Sequence, residues 1–135
     1  MLFKLLKRNN YTLAIATTTT IKQLNIYRYL NEHMIKEAPI DKTFDLVLAQ
    51  DDVTNMKPNP EVHFKIMDYF NCDREECLIF EDSLSGIQAG NNAGIDVVAM
   101  YDKFSDNDRE AINNKSRYQF NDFTQVIKEL KKVKR

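Results

Sequence analysis

Three groups of polar side chains in this sequence have the types and the spacing that phosphate chemistry requires. Four threonines, Thr17–Thr20, follow one apolar run, Lys57 lies in a polar loop after the next, and the acidic pair Glu81–Asp82 follows a third. Hydroxyl and backbone N–H groups bind phosphate oxygens, and a lysine ammonium neutralises phosphate charge. Carboxylates supply the oxygen ligands that Mg²⁺ prefers, with water completing its coordination. The three groups therefore indicate a site for a phosphate and a divalent cation.

The elements between these groups predict how they come together. Short apolar segments alternate with amphipathic segments along the chain, which is typical of a parallel α/β sheet. Apolar runs predict strands over residues 13–17, 44–48, 78–80, 97–100 and 118–120, the first a buried strand covered on both faces and the last a short edge strand. Ligands bind at the carboxyl ends of strands in open α/β sheets. We therefore expect the threonines, the lysine and the acidic pair to share one rim of the sheet.

Amphipathic helices are predicted between the strands. One follows Thr20 and extends to Met34, and another, with apolar residues at helical spacing, occupies residues 123–133. The inner face of the first of these helices is predicted to hold Leu24, Tyr27, Leu30 and Met34. Asn59, Ser83 and Ser105 are predicted to cap three further helices, with Pro60 as the first helical residue after Asn59, and Gly94 to close the helix that Ser83 begins. That helix carries small residues suited to close packing on a sheet: Gly86, Ala89, Gly90 and Ala93.

Composition predicts an ordinary soluble globular domain. The 135 residues carry 19 Lys+Arg against 20 Asp+Glu, so broad electrostatic binding to nucleic acid is not expected. No apolar run approaches the ~20 residues that cross a bilayer, and lysines interrupt the N-terminal apolar stretch, so neither a membrane span nor a signal peptide is predicted. Cys72 and Cys77 match neither a zinc pair nor a redox pair, and isolated thiols suit a reducing compartment. A cytoplasmic protein is expected.

Each group also has a simpler structural interpretation when it is considered alone. Threonines are common in strands and at helix N-caps, and a single loop lysine is usually solvated. Glu81 and Asp82 could stabilise the N-terminus of the helix that follows them. Two carboxylates about 4 Å apart would repel by roughly 4 kcal/mol at an effective dielectric of 20, a cost that a bound cation would remove. Side chains alternate along a strand, however, so the pair could instead point apart.

Three segments resemble, in order, the motifs of one enzyme family. Ile15–Thr19 is similar to the second motif of haloacid dehalogenase-like hydrolases, and Lys57–Pro60 is similar to the third. Phe80–Gly94 closely resembles the fourth motif, in the β-phosphoglucomutase-like branch. The spacing also agrees, and the resemblance runs from about Leu2 to Leu130. One motif alone is moderate evidence, whereas three in register are highly specific.

The resemblance implies a fold and a role for each polar group. The fold would be a Rossmann-like parallel sheet with helices on both faces. Thr17 and the Thr18 amide would bind the phosphoryl group, and Lys57 would orient the nucleophile and stabilise the transition state. Glu81 and Asp82 would bind Mg²⁺. The implied reaction is phosphoryl transfer from a small phosphorylated metabolite to an aspartate nucleophile, in a phosphomonoester phosphatase or a sugar-phosphate mutase.

The family's first motif, an Asp-x-Asp after a strand, has no counterpart here. Residues 1–135 are therefore expected to form a partial core domain that lacks the nucleophile, the acid/base aspartate, one metal ligand, the central first strand and the cap domain. The strands on either side of the missing one would have open edges, which predicts marginal stability. We expect an N-terminal segment or a second chain to complete the sheet.

Alternative functions are an inactive remnant, a phosphate-binding module and a receiver domain. This chain alone is expected to be inactive, and its parent protein to be an enzyme. Receivers place their acidic residues first, then Thr or Ser, then Lys, whereas the order here is Thr17, Lys57, Glu81–Asp82. A P-loop is excluded because no Gly-x-x-x-x-Gly-Lys is present. His63 replaces an aromatic that the family usually carries, and is expected to be a packing residue.

Overall fold

The computed structural model describes residues 2–30 and 40–133. Contacts within the chain divide it into two compact units, Phe3–Met56 and Lys57–Arg135, which are considered separately. Within the described ranges, no helix is long and apolar enough to cross a bilayer.

The first unit is built on two parallel strands. Its elements are α1 (Leu2–Arg8), β1 (Ala14–Ala16), α2 (Ile21–Leu30), α3 (Ile40–Thr43) and β2 (Leu46–Leu48), followed by a 3-10 turn, Gln50–Asp52. The strands pair in register, with Ile15 opposite Val47. Both predicted strands are confirmed, each shortened by two residues.

Asp45 fixes this register at the start of the strands. Its carboxylate accepts a hydrogen bond from the Leu13 amide at 2.9 Å, while its own amide donates to the Leu13 carbonyl at 2.7 Å. The Leu13 bond, more than the Lys7 ammonium 3.4 Å away, holds the pKa of Asp45 below its ordinary value. Because the register is fixed, the carboxyl ends of β1 and β2 finish level, next to the threonine group.

Helix α2 begins where the sequence predicts, through a capping box. The Gln23 amide donates to Thr20 Oγ1 at 3.2 Å, and the Thr20 amide donates to Gln23 Oε1 at 3.1 Å. Leu24 is buried as expected, but the inward placement of Tyr27 is wrong, because this side chain is 46% exposed. Ile26 and Tyr29 of the same helix are exposed as well, so the described part of α2 buries only a narrow face around Leu24. The Leu30 side chain and Met34 lie outside the described residues.

The second unit is built on three parallel strands. Its elements are α4 (Glu61–Phe70), β3 (Leu78–Glu81), α5 (Leu84–Asn92), β4 (Asp96–Met100), α6 (Arg109–Lys115), β5 (Tyr118–Phe120) and α7 (Phe123–Val133). The strand order is β3–β4–β5. The core lies between β4 and the helices, and contains Ile87, Val97, Ala99 and Ile112. These three strands and the final helix are confirmed, with ends that move by one residue at most.

Helix α5 packs closely on the sheet, as its small residues predict. A Cβ at Gly90 would overlap Val97 Cγ2 and lie 3.1 Å from Ile79 Cδ1. The Gly86 amide donates to the capping Ser83 hydroxyl at 3.2 Å, and Gly94 closes the helix with φ of 76°, a conformation that favours glycine. Both predicted ends of α5 are therefore confirmed.

Two other helix starts differ from prediction. The cap at Ser105 is wrong: this residue lies inside a 3-10 segment, Lys103–Asp108, that Asp102 caps by accepting the Phe104 amide at 3.0 Å. Asp102 is a strong N-cap residue that precedes Ser105 in the chain, so the turn starts there. Asn59 Oδ1 accepts the Glu61 amide at 3.0 Å, but α4 begins at Glu61 with Pro60 as its N-cap, so the helix starts one residue later than predicted.

The two cysteines are not isolated, contrary to expectation. Their sulfur atoms lie 3.5 Å apart, because a 3-10 turn, Arg74–Glu76, folds the chain back between them. Burial, with a smaller contribution from Cys72, raises the pKa of Cys77 to about 12. The Cys77 thiol is therefore protonated at neutral pH, which makes it a poor nucleophile.

Strands β1 and β3 each have one paired neighbour within the described residues. Strand β1 pairs with β2, and β3 pairs with β4. The residues of β1 are half-buried rather than covered on both faces as predicted, and Leu78 of β3 is 49% exposed. An open edge accounts for this exposure, since neither strand pairs with a second strand in residues 2–30 and 40–133. These are the two strands expected to flank the missing one.

His63 is buried in α4, as expected of a packing residue. It is 5% exposed, and its Nε2 has no hydrogen-bond partner among the described residues. Burial, and to a lesser degree the nearby charge of Lys57, lowers the pKa of His63 from 6.5 to about 4. The neutral imidazole is therefore the form that the folded chain holds.

This burial predicts a pH-dependent stability. Between pH 6.5 and 4 the unfolded chain binds a proton at His63 that the folded chain does not, so acid favours unfolding. The free energy of unfolding, measured in urea, is expected to fall by about 3 kcal/mol more in the wild type than in His63→Phe over this range. Parallel pH profiles for the two proteins would contradict the prediction, as would a folded-state His63 ring that titrates near pH 6.5.

Candidate functional site

Two of the predicted site residues form an ion pair in the second unit. Lys57 Nζ lies 3.3 Å from both Oε1 and Oε2 of Glu81. The side chains are 8% and 16% exposed, respectively. A charge removed from water is costly unless it is paired, so each of these groups needs the other. The structure thus brings together two residues that are 24 positions apart in sequence.

The pair is positioned by the ends of regular elements. Glu81 is the last residue of β3 and precedes the capped start of α5, while Lys57 lies in the turn that leads into α4. The Lys57–Pro58 peptide bond is cis, and the Pro58 carbonyl accepts a hydrogen bond from Asn92 Nδ2 at 3.0 Å. The turn that carries Lys57 is therefore tied to the far end of α5.

Burial and neighbouring charges act on Glu81 in opposite directions. Burial is the largest effect and raises the pKa of Glu81 above its ordinary value; Lys57 lowers it in part, and Asp82 adds a smaller increase. The ammonium of Lys57 therefore offsets part of the cost of ionising this carboxylate in a partly buried position. Asp82, one residue later, is exposed.

The threonine group forms a tight turn in the first unit. The Thr17 amide donates to the Leu48 carbonyl at 3.0 Å, which extends the pairing of β1 with β2 by one residue. Thr17 Oγ1 accepts the Thr19 amide at 3.1 Å, and the Thr19 carbonyl accepts the Gln50 amide at 3.0 Å. Thr18 is exposed at this turn. The turn is thus held by bonds that leave Thr18 on the surface.

Asp51 and Asp52 support the first unit rather than a chemical site. Asp51 Oδ1 accepts the Ile21 amide at 2.8 Å, at the start of α2, and Asp52 Oδ2 accepts the Ala49 amide at 2.8 Å. The convergence of Thr17 and Thr18 with Lys57, Glu81 and Asp82 stays a prediction, because the two threonines belong to the first unit and the other three residues to the second.

The described residues fit a magnesium ion in part. Nowhere in residues 2–30 and 40–133 do three or more Asp, Glu, His or Cys side chains gather as a metal site. Both oxygens of Glu81 contact Lys57, so Asp82 is the carboxylate that is more open to a cation. Two carboxylates suit Mg²⁺ when water and further oxygen ligands complete its octahedron. The acidic pair is therefore part of a ligand set at most.

Reasoning from the sequence missed the pairing of Lys57 with Glu81. It assigned the lysine to phosphate and the glutamate to metal, so the two roles were considered independently. A signal was present, because opposite charges expected on one rim of a sheet attract each other. Gly86, whose Cα lies against the Glu81 side chain, carried no such signal beyond its small size.

Comparisons with known proteins agree with the fold and the motifs. A family model described as haloacid dehalogenase-like hydrolase matches residues 1–100, which include all five predicted site residues. A phosphorylated carbohydrates phosphatase of Thermotoga maritima is 31% identical over 67% of this chain and 38% of its own length. The pyrophosphatase PpaX of Halalkalibacterium halodurans is 34% identical over 68% of this chain and 40% of its own.

Solved structures show the same fold. A provisionally assigned β-phosphoglucomutase from Thermotoga maritima has a TM-score of 0.75 and 25% identity, over 94% of this chain and 56% of its own. CbbY from Rhodobacter sphaeroides, solved with phosphate, has a TM-score of 0.78 and 24% identity, over 93% of this chain and 52% of its own.

This chain spans about two fifths of the length of these curated relatives and about half of the solved chains. Strands and helices in the expected order accompany the three motifs, and the match covers most of the sequence. The chain belongs to the haloacid dehalogenase-like hydrolase family.

Proposed function

We propose that this chain carries the phosphate-binding and Mg²⁺-binding residues of a phosphoryl-transfer enzyme that acts on a small phosphorylated metabolite. The observation that carries the proposal is the partly buried Lys57–Glu81 ion pair, with exposed Asp82 beside it. The relatives named as phosphatases support the reaction class. A phosphomonoester phosphatase or a sugar-phosphate mutase would use these residues in the same way.

Lys57 would stabilise the negative charge of the transferring phosphoryl group. Glu81 holds the ammonium at 3.3 Å from each of its oxygens, so the charge is fixed in position before substrate arrives. Electrostatic stabilisation is most effective when the charged group needs no reorganisation during the reaction. Thr17 and the Thr18 amide would bind the phosphoryl oxygens at the end of β1.

Asp82 and Glu81 would be the metal ligands of this chain. Bound Mg²⁺ supplies positive charge that offsets the charge of the phosphoryl group. Asp82 would bind it directly because it is exposed, while Glu81 divides its charge between the cation and Lys57. Further oxygen ligands would come from water and from the first motif, which this sequence does not contain.

The missing strand and nucleophile would be supplied by another polypeptide segment. We propose that residues 1–135 are a partial core domain, and that an N-terminal segment or a second chain pairs with the open edges of β1 and β3. Each of these strands has one paired side among the described residues. The charge balance and the apolar pattern support a cytoplasmic location, with neither nucleic acid nor a membrane as partner.

A second candidate is a phosphate-binding remnant without turnover. The lack of a three-residue acidic cluster in the described part of the chain favours this for the chain alone. The two candidates differ in whether this chain, once the missing strand completes its sheet, releases phosphate from a phosphomonoester.

Phosphate binding by the 135-residue chain is expected to depend on Lys57. Inorganic phosphate with Mg²⁺ should perturb the NMR amide signals of Thr17, Thr18 and Lys57. Lys57→Ala should weaken this binding roughly tenfold or more, because a charge-assisted hydrogen bond is lost. Lys65→Ala is the matched control, since Lys65 is a more exposed lysine, paired with Glu61 on α4. Equal binding by wild type and Lys57→Ala would exclude the proposed site.

Turnover is expected when the sheet is completed. The chain alone should release no phosphate from an aromatic phosphomonoester at any Mg²⁺ concentration. Adding a polypeptide that carries the family's Asp-x-Asp strand should give Mg²⁺-dependent release, reduced roughly a hundredfold or more by Lys57→Ala. Replacement of the first aspartate of that strand by asparagine is the control. Turnover that survives both changes would show that another site is responsible.

A further inference from the structure

Gly86 occupies a position where glycine is unexpected. It is buried in the first turn of α5, two residues after the helix begins at Leu84. Glycine is less favourable in a helix than any residue except proline. Its amide donates to Ser83, but any residue other than proline supplies an amide, so the cap does not explain it. A reason for glycine has to come from the space around its Cα.

That space is occupied by the carboxylate of Glu81. A Cβ placed on Gly86 would overlap Oε2 and Cδ of Glu81 and would lie 3.0 Å from its Cγ. The three nearest atoms all belong to this one side chain. The carboxylate that pairs with Lys57 therefore lies against the first turn of α5, where the helix dipole favours a negative charge.

Gly90, one turn later in the same helix, has a different neighbourhood. A Cβ there would meet Val97 Cγ2 and Ile79 Cδ1, which are apolar side chains of β4 and β3. Gly90 is thus required by the packing of the helix on the sheet. Both glycines are buried in α5, but Gly90 faces the core and Gly86 faces the carboxylate of Glu81.

We propose that Gly86 is a positioning residue: its missing side chain lets Glu81 lie over the start of α5 and hold Lys57 in place. The effect on the ion pair follows from the geometry, whereas its importance for phosphate binding rests on the proposed function. Because the overlap is with the end of a flexible side chain, an alanine at this position moves the carboxylate and leaves the backbone where it is.

The ion pair itself supplies a direct test that needs no ligand. The ¹H–¹⁵N signal of the Lys57 ammonium, assigned by its loss in Lys57→Ala, should differ from those of exposed lysines in the wild-type 135-residue chain. Gly86→Ala should shift or broaden this signal as Glu81→Ala does, and Gly90→Ala should leave it at its wild-type position. A wild-type Lys57 signal in Gly86→Ala would overturn the proposal.

A double-mutant cycle separates the carboxylate from the backbone. If Gly86 serves Glu81, adding Gly86→Ala to Glu81→Ala should leave the Lys57 signal unchanged and should not lower the urea midpoint, which the higher helix propensity of alanine should raise slightly. Gly90→Ala should lower the midpoint equally in both backgrounds, because its overlap is with Val97. If Gly86→Ala fails to fold, the double variant should fold; failure of both would show that the backbone requires glycine, and would overturn the proposal.

Phosphate titration distinguishes this inference from the proposed function. Gly86→Ala is expected to weaken the binding of inorganic phosphate with Mg²⁺ by roughly tenfold, since Lys57 is no longer held in position. If Lys57→Ala has no effect on binding, the proposed function fails while the Lys57 signal still tests Gly86. If Lys57→Ala weakens binding and Gly86→Ala changes neither binding nor signal, the positioning inference alone fails.

Discussion

Withdrawing a carboxylate from water is the constraint on which this site depends. Glu81 ends a strand and lies against a helix, where burial raises its pKa and favours the neutral form. Lys57 opposes this, with both carboxylate oxygens at 3.3 Å. A pair of this kind adds little net stability, because desolvation of the two charges offsets most of their attraction. Its value lies in fixing one positive charge at a defined place.

The local structure around the pair can be understood from this constraint. The Ser83 cap sets where α5 begins, and the lack of a side chain at Gly86 leaves room beside that first turn. The hydrogen bond from Asn92 to the Pro58 carbonyl ties the turn that carries Lys57 to the same helix. One helix therefore positions both partners of the ion pair, through its first turn and its last residue.

Much of this fold could be predicted from the sequence, because its signals are local. Apolar runs gave all five strands, and side chains that bond to nearby amides, such as Ser83 and Asn59, marked the helix starts. What could not be predicted depends on contacts distant in sequence or on competition between neighbours. The narrow buried face of α2 leaves Tyr27 exposed, and the cap at Asp102 displaced the one expected at Ser105. The Lys57–Glu81 pair needed the turn and the strand to be placed together, which no local pattern specifies.

The pairing direction of β3 also limits how its vacant side can be filled. In the second unit, β3 pairs with β4 and β4 pairs with β5, both in parallel, so β4 runs in the same direction as β3, toward the residues that follow Glu81. A strand that pairs with β3 in parallel places its C-terminal residues next to Asp82. A strand that pairs with β3 in the antiparallel direction places its N-terminal residues next to Asp82 instead. Its hydrogen bonds to β3 then alternate between narrow and wide spacing. Orientation, as much as sequence, therefore determines which side chains a newly paired strand presents to the acidic pair.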